Sequence, residues 1–72
     1  MILYRATLET FKFSFEAYGA TKSAAIQAMQ EGLEKHCIQY NMPIKNFMQD
    51  FGESIECYPV MLGAAYRDRG EL

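Results

Sequence analysis

Apolar and polar side chains alternate along the first eighteen residues, and the alternation restarts once. One face of the first run carries Ile2, Tyr4, Ala6 and Leu8, and one face of the second carries Phe11, Phe13, Phe15 and Ala17. A period of two residues is typical of half-buried β-strands. A loop at Glu9-Thr10, or a longer one over Leu8–Phe11, places Leu8 opposite Phe11 and Ala6 opposite Phe13. We therefore expect a β-hairpin whose apolar residues all lie on one side.

The period becomes helical over Lys22–Tyr40. An apolar stripe runs through Ala25, Met29, Leu33, His36, Cys37 and Tyr40. Thr21 or Ser23 can cap the start of this helix, and Asn41 can adopt the left-handed conformation that ends it. Gly32 lowers helix propensity on the apolar side, so we expect the helix to approach the sheet closely there.

The remaining elements are shorter. Residues 43–51, either a helix or a loop, show helical spacing of Ile44, Phe47, Met48 and Phe51. Ser54–Leu62 alternates as a strand, and Pro59 within it favours an edge strand or a bulge. Residues 67–72 form a polar tail. The order β-β-α-(α)-β predicts an α+β fold with a small antiparallel sheet and both helices on one face.

Composition narrows the class of protein. The 72 residues form one domain of 8.3 kDa with a formal net charge of −2, half of them hydrophobic. An intrinsically disordered chain has fewer aromatic residues, and a spanning helix needs about 20 consecutive apolar residues. The N-terminus resembles no secretory signal, so we expect a cytoplasmic protein that does not enter a membrane. In that compartment we expect Cys37 and Cys57 to be free thiols. The alternative is a single disulfide between them.

The chain lacks a recognisable catalytic or metal-binding motif. His36, Cys37 and Cys57 are one ligand short of a structural zinc site, and the first two diverge by about 100° on a helix. No nucleophile motif or phosphate-binding loop is present, and the chain contains a single histidine. We therefore expect a protein that is not an enzyme and binds no metal or cofactor.

Candidate binding residues are tyrosines and arginines, the side chains favoured as interface anchors. One predicted partner-binding surface lies near the C-terminus and consists of Tyr58, Tyr66, Arg67 and Arg69. A possible second surface, on the outward face of the hairpin, consists of Arg5, Lys12 and Tyr18. A thin core at this size also favours a protein partner or a homodimer, the latter through the unpaired edge of the Pro59 strand.

Binding of single-stranded nucleic acid is the alternative function. Phe11, Phe13 and Phe15 near Lys12 are similar to aromatic sheets that stack bases. Their parity places them on the face that the helix covers, however, while Arg5 and Lys12 point the other way. The net negative charge also disfavours phosphate binding.

Three segments resemble short uncharacterised proteins of phages, plasmids and bacterial mobile elements. They are Phe13–Gly19, the helix end at Gly32–His36, and Gly63–Asp68. In size and layout the chain is also similar to small anti-CRISPR proteins, which cover a surface of a host complex and do not catalyse a reaction. The resemblance implies an inhibitor or accessory protein encoded by a phage or mobile element.

Overall fold

Strand β1 is the centre of a three-stranded antiparallel sheet with the order β2-β1-β3 in a computed structural model that describes residues 1–72. The elements in chain order are β1 (Ile2–Glu9), β2 (Ser14–Gly19), α1 (Lys22–Gln39), α2 (Ile44–Phe51), a 3₁₀ turn (Gly52–Ser54), β3 (Glu56–Met61), β4 (Tyr66–Arg67) and β5 (Gly70–Glu71). The last two strands pair as a separate small hairpin. The predicted α+β class is confirmed, and so is the order of its elements.

One face of the sheet, here called the covered face, packs against the helices. The fully buried residues are Ala6, Leu8, Ala25, Met29, Leu33, Cys37 and Phe47. Those of α1 recur every four residues, which keeps them on one side of the helix. Ala6 and Leu8 alternate with more exposed neighbours along β1, so the period of two in the sequence decides which side chains enter the core.

The ends of α1 follow from local hydrogen bonding. The Thr21 hydroxyl accepts a hydrogen bond from the Ala24 N–H at 3.1 Å, as an N-cap does. Asn41 adopts φ 54° just beyond the C-cap, which ends the helix as predicted. Residues 44–51 are the helix α2, which resolves the alternative between helix and loop.

The predicted register of the first hairpin is wrong by four residues. Leu8 pairs with Phe15 and Ala6 with Ala17, so the loop spans 10–13. Thr10 closes this loop, because its N–H donates to the Phe13 carbonyl at 2.8 Å and its hydroxyl accepts from the Phe13 N–H at 3.1 Å. A shift by an even number of residues keeps the paired side chains on their predicted faces and moves only the loop residues, here Phe11, out of the sheet, so alternation alone could not detect it.

The close approach of helix and sheet occurs at Gly19 and not at Gly32. A Cβ atom on Gly19 would lie 2.5 Å from the Ala25 nitrogen, whereas one on Gly32 would meet no atom within 4 Å. The expectation about Gly32 is therefore wrong, since this glycine faces open space. Gly19 is required because the chain turns there directly from β2 into α1.

Candidate functional site

The second face of the sheet, here called the open face, carries four side chains in a line across all three strands. On β1, Arg5 pairs with Tyr18 of β2 on one side and with Tyr58 of β3 on the other. The Arg69 guanidinium carbon lies 5.1 Å from the centre of the Tyr58 ring. We call these four residues the tyrosine–arginine row. It joins members of the two binding surfaces that the sequence predicted separately.

Two glutamates pair with the arginines of the row. Arg5 donates to Glu16 Oε2 at 3.0 Å, and the Tyr18 hydroxyl donates to the same oxygen at 3.2 Å. Arg69 forms an ion pair with Glu56. Exposed pairs of this kind contribute little to stability. Both arginines of the row therefore have a carboxylate partner within the chain, but neither is held firmly by it.

A polar cleft of about 420 Å³ lies beside the row, and residues of the row and of the β4–β5 turn line it. It is lined by Arg5, Thr7, Glu9, Ser54, Glu56, Tyr58, Asp68 and Arg69. The Arg5 Nε atom is buried and has no hydrogen-bond partner within the chain. A buried donor without a partner carries a desolvation cost that an acceptor can remove. With Glu9, Glu56 and Asp68 in its lining, the cleft suits a neutral or positively charged group better than an anionic one.

An unusual turn places Arg69 at this cleft. Asp68 and Arg69 connect β4 to β5 and have φ 50° and 70°, the left-handed region. Two-residue hairpin turns of this shape prefer asparagine and glycine, because a side chain costs energy there. The turn nevertheless carries an arginine, whose guanidinium contacts Tyr58 and pairs with Glu56.

Three predicted binding residues lie outside the row. The Tyr66 hydroxyl accepts a hydrogen bond from the Met61 N–H at 2.6 Å, so Tyr66 fastens the C-terminal hairpin to β3. Arg67 is exposed on β4 and forms no ion pair. Lys12 lies at the tip of the 10–13 loop and lines a different groove.

The surroundings raise the pKa values of both Arg5 and Tyr18. Burial lowers the pKa of Arg5, but Tyr58, Tyr18 and Glu16 outweigh it and raise the pKa overall. Burial, together with Glu16, raises the pKa of Tyr18 above its usual value of 10.0 against the opposing effect of Arg5. Arg5 therefore stays charged and Tyr18 stays neutral.

The residues first considered for chemistry are packed as structural groups. Burial raises the pKa of the Cys37 thiol, which is the opposite of what a nucleophile requires. Cys57 is half-buried, and both cysteines are free. No three His, Cys, Asp or Glu side chains converge as ligands for a metal. The His36 ring lies 4.8 Å from Phe13 and 4.9 Å from Phe15, within an aromatic cluster.

Sequence reasoning missed an apolar groove of about 240 Å³ beside this cluster. Its lining includes Phe11, Phe13, Met42, Phe47 and Phe51. Phe11 is fully exposed at the loop tip, although the predicted register placed it in the core. The signal that could have found it is Thr10, because a threonine can close a turn with its hydroxyl.

Comparisons with protein-family models, with curated proteins and with solved structures find no match for this chain. No helix combines the length and the apolar character needed to cross a membrane.

Proposed function

We propose that the chain is a non-enzymatic interaction module that binds a protein partner through the tyrosine–arginine row. The observation that carries the proposal is the convergence of Tyr18, Arg5, Tyr58 and Arg69 in one line on an uncovered sheet face. Tyrosine and arginine supply apolar area, hydrogen bonds and charge together, which is why they are enriched at interface hot spots.

Nucleic-acid binding is a second candidate, because aromatic and basic side chains do share the open face. Sheets that bind single strands have this layout. The carboxylates weigh against it, since Glu16 and Glu56 pair with both arginines of the row and Glu9 and Asp68 add further negative charge at the cleft. Phosphate groups would be repelled there, whereas a protein partner can offer matching charges of both signs.

The resemblance to proteins of phages and mobile elements supports a narrower version of this proposal. In that version the row covers a surface of a host complex in the cytoplasm and inhibits it or assists it. A chain of 8.3 kDa with such a polar face is large enough to block that surface by binding alone.

Capture of partners from a lysate of the source cells, with and without nuclease, tests the proposal. The row variant combines Tyr58→Ala with Arg69→Ala. The control combines Ile38→Ala with Lys45→Ala, which removes one exposed apolar and one exposed cationic side chain from the helices. Tyr66 is left intact in both, because its hydroxyl holds the hairpin.

We expect a stoichiometric protein that survives nuclease, binds the control variant and is lost from the row variant. Circular dichroism should show the same helix content for both variants. Equal capture by the two variants would remove the row as the binding surface. Capture that disappears with nuclease, and that weakens steeply with salt, would replace this proposal with nucleic-acid binding.

A further inference from the structure

The two edges of the sheet differ in how many backbone groups they leave free. On β3, the Met61 N–H points away from β1 and donates to the Tyr66 hydroxyl, while the Leu62 N–H points back and donates to the Met1 carbonyl at 3.0 Å. Backbone groups alternate in direction along a strand, so Cys57 and Pro59 also face outward. Pro59 has no N–H, which leaves Cys57 as the one free donor on this edge.

The edge of β2 remains open along its length. The Thr10 N–H donates to the Phe13 carbonyl, which fixes the hydrogen-bonded positions of the hairpin. By the same alternation Phe15, Ala17 and Gly19 bond to β1, and the N–H and carbonyl groups of Ser14, Glu16 and Tyr18 face outward. None of these outward groups has a backbone partner in a turn, loop or cap.

We propose that the β2 edge pairs antiparallel with β2 of a second copy of this chain, with Ala17 on the twofold axis. In this register Glu16 lies opposite Tyr18 of the second copy, and Phe15 lies opposite Gly19. A tyrosine hydroxyl then faces a carboxylate on the open face, and small residues meet at the axis. A register shifted by one residue on each chain would place Glu16 opposite Glu16, which is unfavourable.

The position of α1 is compatible with this pairing. One flank of α1 follows β2, because Ala24 approaches Gly19 at one end and His36 contacts Phe15 at the other. In the dimer the strands would run in the order β1-β2-β2-β1. If each α1 lies above the line between its own β1 and β2, the two helix axes are two strand spacings apart, about 10 Å. Helices pack face to face at about 8–10 Å.

Small side chains on that flank allow the helices to meet. Ala24, Ala28 and Gly32 recur every four residues between its two ends. A glycine in the middle of a helix lowers its stability, and Gly32 has no close contact within the chain that requires it. A neighbouring α1 at this distance supplies a reason, because its backbone would occupy the open space beside Gly32.

Two variants and a matched control test the dimer by sedimentation equilibrium over a wide range of chain concentration. Gly32→Glu places a charge at the proposed helix contact but in open space within one chain. Glu16→Pro removes an outward N–H without removing a hydrogen bond to β1. Ser23→Glu adds the same charge at an exposed position in the first turn of α1.

We expect the wild type and Ser23→Glu to sediment at twice the chain mass, and both Gly32→Glu and Glu16→Pro at the chain mass with unchanged helix content. Amide hydrogen exchange gives a second readout, in which Glu16 and Tyr18 are protected in the wild type and lose that protection in Gly32→Glu. A wild type that stays at the chain mass would overturn the proposal. A dimer that survives Gly32→Glu, with Glu16 and Tyr18 unprotected, would equally overturn it.

Discussion

On the covered face of the sheet, Ala6 and Leu8 are sealed beneath the helices, whereas Arg5 and Thr7 of the same strand are only half-buried on the open face. The covered face is held by apolar packing, and the open face by an ion pair at each side of the row. Apolar packing contributes far more free energy per residue than exposed ion pairs do. The comparison therefore separates residues that keep the chain folded from residues on which the fold depends little.

The largest effect should come from the covered face. Leu33 is fully buried in α1, and Leu33→Ala should lower the free energy of unfolding by about 2–5 kcal/mol, since it leaves a cavity in a core of few residues. The control Ile38→Ala, on the exposed side of the same helix, should change it by less than about 0.5 kcal/mol. Urea denaturation measures both, and similar losses would contradict this division of the molecule.

The next effect concerns the contact between β2 and α1. Gly19→Ala should lower the free energy of unfolding by about 1–3 kcal/mol, because its Cβ would meet the Ala25 backbone. Gly32→Ala is the matched control and, at chain concentrations low enough to keep the protein monomeric, should raise it by about 0.5–1 kcal/mol through helix propensity. The same denaturation experiment checks both, and the expected signs are opposite.

A smaller and local effect should follow at the C-terminal hairpin. Tyr66→Phe removes the acceptor of the Met61 N–H and should cost about 0.5–1.5 kcal/mol. Amide exchange at Met61 should accelerate while the core amides stay protected. Tyr58→Phe is the control, because the Tyr58 hydroxyl forms no hydrogen bond within the chain, and it should leave the exchange of Met61 unchanged.

The smallest effect should arise within the row. Glu16→Gln weakens an exposed ion pair with Arg5 and should lower the free energy of unfolding by about 0.2–1 kcal/mol at low salt. The difference should vanish at high salt, where exposed charges are screened. Glu34→Gln, which removes a carboxylate without an ion pair, is the control. A loss that persists at high salt would place Glu16 among the structural residues.

Local pattern was sufficient for the two helices, the three strands of the main sheet and the faces of β1 and β2, but not for the C-terminal hairpin, which lies largely in the segment predicted only as a polar tail. It also identified the Thr21 cap, the left-handed Asn41 and the edge position of Pro59, because each depends on neighbouring residues. The hairpin register was not determined in this way, since a shift of four residues preserves the faces of the paired residues, and the Thr10 hydrogen bonds are what close the longer loop that contains Phe11.

The sequence identified the four residues of the row as candidates for binding, but it did not predict that they lie together on one surface. Tyr58 and Arg69 join Arg5 and Tyr18 only because β3 pairs with β1, a contact between distant parts of the chain. The role of Tyr66 was equally hidden, because a tyrosine that binds a partner and one that fastens a strand end look alike in a sequence.

The central position of β1 also orders events during synthesis. A ribosome releases β1, β2 and α1 in succession, and these neighbouring elements can associate as soon as α1 has emerged. The second neighbour of β1 in the sheet is β3, which is synthesised only after both helices. Its distance along the chain is clear from the pairing of Ile2 with Met61. In that interval the nascent chain presents an unpaired strand edge on both sides of a two-stranded sheet. The stage before β3 docks is therefore the one at which this chain is most exposed to aggregation and to chaperones.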